Sequence, residues 1–539
     1  MPCQPSDGTR GHGASLLAVA LLALGAVAAV GRLTPYGAAT TPDSLNYIEA
    51  ANHIRAGRGV ALSTYSLTRA DETEPFTTWP PLYPMALAVS ALSAPIDALA
   101  AARLALVTLA ASCVVLFLLL HPLVGYGPAL LASVVLLVAP STLIVFTYAW
   151  SESLFIPLAL AALGCCLRCV SRDRPVGDRQ YAVLILLLAL LSAALFYCRY
   201  LGLTLGVWLA LAWVMTPNRR ARVWPFVAAS ALWVVAVVAL LARNYLLSGD
   251  ITGSCRAPPT RGLLGSLLDI LVVGWETIVT PPLVAAGALA AALAVSVLRA
   301  RCRQGAAPGE GNDRGRLLVL AVAGLTAYIG TIVIMRSIKA FDANEVRFLS
   351  PMLPLVLVLL ALCVTHSSPT GVARRTLHLS AGLLGWWLIL LLAAKGLDVL
   401  HHTARSLRES GVARFSFAAG RPVYSNYTLP NKPNRYREAL DALGVSPGAI
   451  VVTDYPRGFQ FVTGRQARQL PVGPVTAADI RTLNARAPRG CVIAMTPASQ
   501  ERWRTYLVEE ANRHLVRPPG INADWLVLQM PLAEPATRR

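Results

Sequence analysis

Long apolar runs alternate with short polar loops over most of the chain. About eleven of these runs are close to the roughly 20 residues that a tilted helix needs to cross a bilayer. They cover residues 14–31, 98–120, 128–147, 154–170, 181–197, 200–216, 223–242, 280–299, 317–335, 350–366 and 378–394. The pattern predicts an α-helical polytopic membrane protein with about 11 transmembrane helices.

The first apolar run has two interpretations. Arg10 and His12 precede it, and the letters "AVAAVG" are typical of the cleavage region of a signal peptide. We favour an uncleaved anchor, because many further spans follow in the same chain.

Basic residues predict the orientation of the spans. With the N-terminus in the cytoplasm, the inner loops are short and rich in arginine, in agreement with the positive-inside rule. These loops read "SRDRPVGDRQ", "TPNRRARVW", "RARCRQGAAPGEGNDRGR" and "SSPTGVARRTLH". An odd number of spans then places the C-terminus outside. We expect an integral protein of a bacterial plasma membrane.

The hydropathy falls after Lys395, and a different pattern begins. Short apolar strands alternate with helix-like stretches, which indicates a small α/β domain. The strand candidates are 449–454, 490–496 and 524–530, and the helix candidate is 499–515. We therefore predict a transmembrane domain over 1–395, with a first outer loop at 32–84, and a soluble extracytoplasmic α/β domain over 396–539.

The composition of the chain agrees with a protein made largely of membrane spans. The chain is 55% hydrophobic and only 14% charged, and its formal net charge is +19. In a soluble protein such a charge would suggest nucleic acid, but here the basic residues lie between spans, where they set orientation. Membrane lipid is therefore an expected partner and nucleic acid is not.

A polar helix is predicted directly after the first span, within "TPDSLNYIEAANHIRAGRG". Thr41 is a good N-cap with Pro42 at the first helical position, and Gly57 is a good stop. A helix of about 14 residues with this charge is too short to cross the membrane, so it should lie on the outer surface. Its apolar face, which includes Tyr47, should contact lipid or neighbouring spans. The charged residues, expected on a solvated face, are Asp43, Glu49, His53 and Arg55.

Asp43 lies in the first turn of this helix, where free amide groups and the helix dipole favour a carboxylate by about 0.3–1 kcal/mol. One interpretation is a plain helix-end charge in water. The other is a functional carboxylate, and the residues of the remaining outer loops favour it.

Those loops contribute a second acid, aromatic residues and a set of cations. Glu152 stands in the short loop "YAWSESLF", and Trp79 and Tyr83 in "TTWPPLYPMAL" are placed like interfacial anchors. The cations are Arg199, Arg243, Arg256, Arg261, Arg336, Lys339 and Arg347. Outer arginines run against the positive-inside trend, and binding of a phosphate or pyrophosphate explains them. For any single residue, an ordinary snorkelling arginine is the alternative.

These motifs together resemble the GT-C superfamily of membrane glycosyltransferases. The resemblance rests on "DSLNY" in the first outer loop, "PPLYP" before the second span, "SESLF" at the fourth, "RNY" followed by glycines, and "RFLSPMLPL". It is strongest to the branch that contains protein O-mannosyltransferases and the lipid A aminoarabinose transferase. It covers roughly residues 30–360 and extends faintly to "DYPRGFQFVTGRQARQLP".

The resemblance implies transfer of a sugar from a polyprenyl phosphate to an acceptor on the outer face of the membrane, with inversion. The acceptor would be a lipid, a polysaccharide or a protein of the cell envelope. Asp43 would be the general base, and Glu152 would position the acceptor or a divalent metal ion held with Asp43. Donor-phosphate contacts are implied for Arg243 and Arg347, then for Lys339, Arg199 and Arg336. First-loop support is implied for Tyr47, His53, Trp79 and Tyr83.

Two departures keep the substrate open. Protein O-mannosyltransferases have Asp-Glu where this chain has Asp43 and Ser44, and the aminoarabinose branch has lysine where it has Trp79. A carrier or flippase for lipid-linked sugars is the main alternative, and a non-catalytic scaffold is another. A carrier usually places charges or broken segments at the bilayer midplane, whereas polar residues here gather at the outer ends of spans.

Overall fold

The structure is a computed structural model that describes most of the chain. The described residues are 8–35, 37–65, 72–90, 96–171, 176–217, 219–253, 312–338 and 346–364, with short segments between 262 and 268 and between 397 and 530.

The described part is mainly helical. The α-helices are α1 (Gly8–Leu33), α2 (Pro42–Arg55), α3 (Leu82–Ser90), α4 (Ala98–Val124), α5 (Tyr126–Val138), α6 (Pro140–Thr147), α7 (Glu152–Val170), α8 (Asp178–Cys198), α9 (Val207–Met215), α10 (Val223–Ser248), α11 (Asn312–Ile338), α12 (Val346–Leu349), α13 (Leu353–Val364) and α14 (Pro456–Thr463). Two 3₁₀ helices, Tyr200–Gly206 and Ser350–Met352, precede α9 and α13.

Within the described residues, 5 helices are long and apolar enough to cross a membrane, or up to 6 if one bent pair counts as a span. The five are α4, α7, α8, α10 and α11, and α5 with α6 forms the bent pair. These helices are those of a polytopic membrane protein, as the sequence predicts. The predicted spans 14–31, 200–216 and 350–366 correspond to shorter apolar helices, Leu17–Leu33, Tyr200–Met215 and Arg347–Leu362. The predicted spans 280–299 and 378–394 lie outside the described residues. A total of about eleven therefore stays a prediction.

The predicted span 128–147 is not one straight helix. It breaks at Ala139, and α5 and α6 meet at an angle of 54°. Pro140 explains the break, because the residue before a proline is disfavoured in the helical region, and Ala139 takes an extended ψ of 134°.

The strands form three small sheets. They are β1 (Ala61–Ser63), β2 (Thr73–Pro75), β3 (Arg414–Ala418), β4 (Arg421–Ser425), β5 (Ile450–Thr453), β6 (Ala467–Gln469), β7 (Cys491–Met495) and β8 (Leu526–Met530). Both β1–β2 and β3–β4 are antiparallel pairs. The third sheet has the order β6-β5-β7-β8, with β5 parallel to β6 and β7, and β8 antiparallel to β7.

The three strand candidates of the C-terminal segment are strands β5, β7 and β8 of one sheet. Strand β6 and helix α14 were not predicted from the sequence. The predicted helix 499–515 lies outside the described residues, and a separate soluble domain over 396–539 stays a prediction.

Residue contacts divide the chain into two compact units. The membrane unit comprises Met1–Pro35, Thr77–Ser90 and Ala100–Ser425. The loop unit comprises Tyr36–Phe76, Ala91–Leu99 and Asn426–Arg539. Much of the first outer loop therefore belongs to one unit with the C-terminal segment.

Small residues allow close helix contacts in the membrane unit. The Trp208 indole donates a hydrogen bond of 2.9 Å to the carbonyl of Leu320 in α11. A Cβ atom on Gly324, one turn further along α11, would lie 2.7 Å from the Trp208 ring. Glycine at this position therefore lets α9 and α11 approach.

Loops that the sequence assigns to the inner side lie together at one end of the membrane unit. Arg222 pairs with Asp178 at 3.0 Å, and its Nη2 donates to the carbonyl of Val176 at 2.7 Å. Ser171 donates a short hydrogen bond to Asp313. Helix α7 runs from this end to the opposite end, where Glu152 lies.

Candidate functional site

Three residues that the sequence singles out meet at the other end of the membrane unit. Glu152 lies in the first turn of α7, and Arg199 follows the last residue of α8. Helices α7 and α8 are neighbours joined by a short loop, so the start of one adjoins the end of the other. Arg347 comes from α12, far along the chain.

Glu152 is the centre of this cluster. An Oε1 atom of Glu152 forms a short ion pair with Nη1 of Arg199, and Nε of Arg347 lies 4.0 Å from the same oxygen. Arg199 Nη1 also donates to the Ser151 hydroxyl at 3.3 Å, and that hydroxyl donates to Oε2 of Glu152 at 3.4 Å. Glu152 is 1% exposed, Arg199 8% and Arg347 7%, so all three charges are removed from water.

Aromatic rings cover the two guanidinium groups. Arg347 lies over the rings of Trp150 and Phe348, 5.3 Å and 5.0 Å from their centroids. Arg199 lies 5.3 Å from the Phe348 centroid. Tyr148 stacks on Trp150 at 4.4 Å. These contacts hold the planar guanidinium groups in fixed orientations, as cation–π contacts do in dry sites.

The cluster has the chemistry of an anion site and not of a metal site. Buried arginines offer several fixed N–H donors to phosphate oxygens, and the helix dipole adds partial positive charge at the start of α7. Two cations beside Glu152 disfavour a divalent metal there. Among the residues that the structure describes, no three His, Cys, Asp or Glu side chains are grouped to hold a metal ion. The donor set around Glu152 alone therefore does not fit a divalent metal, and an ion held by Asp43 with Glu152 stays a prediction.

Asp43 lies in the loop unit, in the first turn of α2. The predicted cap is present: Thr41 Oγ1 accepts a hydrogen bond from the Ser44 amide at 3.4 Å, and Pro42 is the first helical residue. The helix ends at Arg55, and Gly57 follows with a φ of 71°, in the left-handed region that glycine tolerates. Asp43 itself is half-buried.

The prediction that the charged residues of α2 form a solvated face is wrong for two of them. His53 is 2% exposed, and its Nε2 lies 3.0 Å from the Ser63 hydroxyl of β1. Glu49 is also largely enclosed, because it contacts both β1 and the C-terminal segment. Tyr47 is buried as expected on the apolar face, with its ring edge toward Phe76 at 6.1 Å.

Two aromatic residues were expected as interfacial anchors. Tyr83 is fully buried in the membrane unit, so it is not an exposed anchor. Trp79 is half-buried and belongs to the same unit.

The remaining cation candidates do not all join the cluster. Arg243 lies near the end of α10, and its Nη1 donates to the amide oxygen of Asn244 at 3.1 Å. Asn244 donates to the Tyr200 hydroxyl at 2.7 Å, and Tyr200 donates to the carbonyl of Thr77 at 3.0 Å. Arg336 is part of α11. Lys339, Arg256 and Arg261 lie outside the described residues.

Sequence reasoning missed two groups of residues. Trp150 and Phe348 were not singled out, although each stands inside a quoted motif, directly before Ser151 and after Arg347. Arg457 was also missed. It lies in α14 and pairs with Glu49, and nothing in the local sequence around either residue indicates the other.

Solved structures identify the fold. The crystal structure of ArnT from Cupriavidus metallidurans in the apo state superposes with a TM-score of 0.60 at 11% identity, over 96% of this chain and 98% of that one. The same protein bound to undecaprenyl phosphate gives a TM-score of 0.56 at 12% identity, over 96% and 99%. The chain has the fold of ArnT.

ArnT is a lipid A aminoarabinose transferase and a member of the GT-C superfamily, so the resemblance drawn from the sequence is confirmed as a likeness of fold. The ArnT likeness extends over 96% of the chain and therefore includes most of the C-terminal segment as well as the spans. No protein-family model and no curated protein matches the sequence.

Proposed function

We propose that this protein is an integral membrane glycosyltransferase. It transfers a sugar from a polyprenyl-phosphate-linked donor to an acceptor of the cell envelope, on the outer face of the membrane and with inversion. The observation that carries the proposal is the meeting of Glu152, Arg199 and Arg347 at one end of a chain with the ArnT fold. The sequence predicted all three as site residues.

The buried arginines are assigned to the donor phosphate. Undecaprenyl phosphate is bound in one of the two ArnT structures, which supports a polyprenyl phosphate as donor carrier here. Arg199 and Arg347 would hold the phosphate oxygens, and Glu152 fixes both guanidinium groups. Arg243, Arg336 and Lys339 are further candidates for contact with the pyrophosphate or phosphate group.

Asp43 is assigned the role of general base. The acceptor oxygen or nitrogen attacks the anomeric carbon, and its proton passes to the Asp43 carboxylate. The bond from the anomeric carbon to the phosphate oxygen breaks, and the polyprenyl phosphate leaves with the electron pair. A placed base contributes on the order of 10² to 10⁴ in rate.

The C-terminal segment is assigned to acceptor recognition. Four of its strands form one sheet, and α14 follows the first of them. A chain that ends after Ala394 should keep its spans but lose transfer to the natural acceptor. Full transfer by the truncated chain would remove this role.

The deciding experiment compares cell envelopes by mass spectrometry. Cells carry the wild-type protein, no protein, or Asp43→Asn at matched membrane expression, and glycolipids, polysaccharides and glycoproteins are compared. We expect the null cells and the Asp43→Asn cells to lack the same sugar, which would also identify the acceptor.

A change in the null cells alone would contradict the base assignment and favour a carrier or scaffold. Asp178→Asn is the matched control, because Asp178 is also an acid in the first turn of a helix but pairs with Arg222 at the opposite end of the membrane unit. It should leave the envelope unchanged.

A further inference from the structure

A stripe of polar residues follows one side of the helix that carries Asp43. Asp43, Asn46, Glu49 and His53 are spaced three, three and four residues apart in α2. Residues three or four apart lie on neighbouring turns of one helix face. The positions one and two turns beyond Asp43 are therefore Asn46 and Glu49.

Arg457 of α14 contacts both of these positions. Its Nε lies 2.5 Å from Oε2 of Glu49, and its Nη1 donates a short hydrogen bond to the amide oxygen of Asn46. Its Nη2 lies 3.5 Å from the carbonyl oxygen of Ser63. One guanidinium group from the C-terminal segment thus binds two successive turns of α2 and the strand beside it, all within the loop unit.

Glu49 is held from the other side as well. Its Oε1 accepts hydrogen bonds from the Ser63 amide at 3.0 Å and from the Tyr65 hydroxyl at 3.1 Å. Burial, and then the Glu49 carboxylate, raise the pKa of Tyr65, so its hydroxyl stays protonated and remains a donor. The Tyr65 ring lies 5.2 Å from Arg457, and its carbonyl accepts from the Gln469 amide at 2.6 Å.

This arrangement restricts rotation of α2 about its axis. A short helix packed only through apolar contacts can turn or slide at low cost. An ion pair at Glu49 and a hydrogen bond at Asn46, both made by one planar guanidinium group, define the rotation of α2. Asp43 lies one turn before Asn46, so the rotation of α2 also sets the direction in which the Asp43 side chain points.

We propose that Arg457 is a positioning residue that aims Asp43 through Asn46 and Glu49. This inference rests on the proposed function, since it assigns Arg457 to the orientation of the general base. It also gives the C-terminal segment a second task besides acceptor recognition: it completes the geometry of the first outer loop.

The test uses the full-length protein in lipid nanodiscs, with the polyprenyl-phosphate sugar identified by the envelope comparison. The variants are Arg457→Ala, Arg457→Lys and Glu49→Gln. The matched control is Arg55→Ala, which removes an exposed arginine from the last turn of α2 itself. Two quantities are measured: kcat and donor KM per folded protein, and hydrogen exchange of the amides of α2.

We expect Arg457→Ala to lower kcat by about 10- to 100-fold with donor KM within about twofold, because misplacement of a reacting group by about 1 Å has effects of this size. Exchange in α2 should rise in the same variant. Arg457→Lys should recover part of kcat, Glu49→Gln should give a smaller loss, and Arg55→Ala should match the wild type.

A merely structural role would lower the yield of folded protein but leave kcat per folded protein unchanged, and this result would overturn the proposal. Unchanged exchange in α2 would overturn it too, whatever happens to kcat. If Arg457→Ala fails to fold, kcat, donor KM and hydrogen exchange in α2 are compared between Glu49→Gln and the wild type instead. Absence of transfer by the wild type would instead refute the proposed function, so the two failures are distinguishable.

Discussion

A carboxylate meets arginine in both units of the protein, in clusters around Glu152 and around Glu49, and the two clusters differ in burial and in origin. Glu152 in the membrane unit is 1% exposed and is bound by Arg199 and Arg347. The Glu49 side chain in the loop unit is 13% exposed, and its partner Arg457 is 21% exposed. The first cluster joins the ends of the candidate spans α7 and α8 to the short helix α12, and the second joins α2 to the C-terminal segment.

The difference in burial has a physical consequence. A charge that is fully removed from water loses its hydration, so the loss of its partner leaves a large uncompensated cost. A charge that keeps some contact with water is rehydrated when its partner is removed. The membrane cluster (Glu152, Arg199 and Arg347) should therefore lose far more stability when its carboxylate is deleted. Deletion of a charge in the loop cluster (Glu49 and Arg457) should change the orientation of α2 more than the stability of the protein.

The largest expected effect comes from Glu152→Ala. This change leaves the Arg199 guanidinium buried without its carboxylate and should cost about 3–5 kcal/mol of unfolding free energy. Glu49→Ala should cost about 2 kcal/mol, because the ion pair with Arg457 and the hydrogen bonds from Ser63 and Tyr65 are lost in a less buried place. Thermal unfolding of both variants in one detergent measures the order of the two effects.

Glu74→Ala is the control for this comparison. Its carboxylate lies 4.0 Å from the same Arg457 but is 55% exposed, so its removal should cost under about 1 kcal/mol. A larger loss in Glu49→Ala than in Glu152→Ala would mean that burial does not set the difference between the two clusters.

The second expected effect separates two arginines with the same predicted role. Arg347→Ala should raise donor KM by about 10- to 100-fold, the size of one charge-assisted hydrogen bond. Arg243→Ala should have a smaller effect on donor KM, because Arg243 is half-buried and donates to Asn244 outside the Glu152 cluster. Initial rates at varied donor concentration measure both.

Arg222→Ala is the matched control for the donor experiment. Arg222 is as buried as Arg347 but pairs with Asp178 at the opposite end of the membrane unit. It should lower stability and leave donor KM unchanged. Equal donor KM in Arg347→Ala and the wild type would count against a phosphate role for the cluster.

The two clusters also differ in how far the sequence reveals them. Glu152, Arg199 and Arg347 were found because each stands at the end of an apolar run, and alternating spans bring such ends to the same side of a membrane. The cap and bounds of α2 were found because Thr41, Pro42 and Gly57 act locally. Local capping residues and the alternation of apolar runs were therefore enough to predict these features from the sequence.

Contacts between segments that are far apart in the chain could not be predicted from the sequence. Asn46 and Arg457 are 411 positions apart, and no periodicity links them. The charges of α2 looked like a solvated face because their partners come from β1 and α14. The break at Pro140 is a different case, since the proline was visible inside an apolar run of ordinary length and the run was still taken as one span.

The smallest expected effect is a pH dependence of stability that arises from His53, which lies beside Glu49 of the loop cluster. Burial first, and then Arg58 and Arg457, lower the pKa of His53 from its ordinary 6.5, while Glu49 opposes the shift. His53 is thus neutral in the folded protein and binds a proton more readily when unfolded. Stability from this group is present above pH 6.5 and is lost as the pH falls through the lowered folded pKa. Tm measured from pH 7.5 to pH 5 should fall less steeply in His53→Gln, and the exposed His401→Gln should behave like the wild type.

Variants of the two charges beside His53 sharpen this prediction, because they act in opposite directions. Arg457→Ala removes a cation, so the pKa of His53 should rise toward its ordinary value and the fall of Tm with acid should become shallower. Glu49→Gln removes the carboxylate that supports the protonated ring, so the fall should become steeper. Glu152→Gln changes a carboxylate of the membrane unit and should leave the slope near that of the wild type. Slopes that shift together in Arg457→Ala and Glu49→Gln would show that the pH dependence arises from general destabilisation and not from His53.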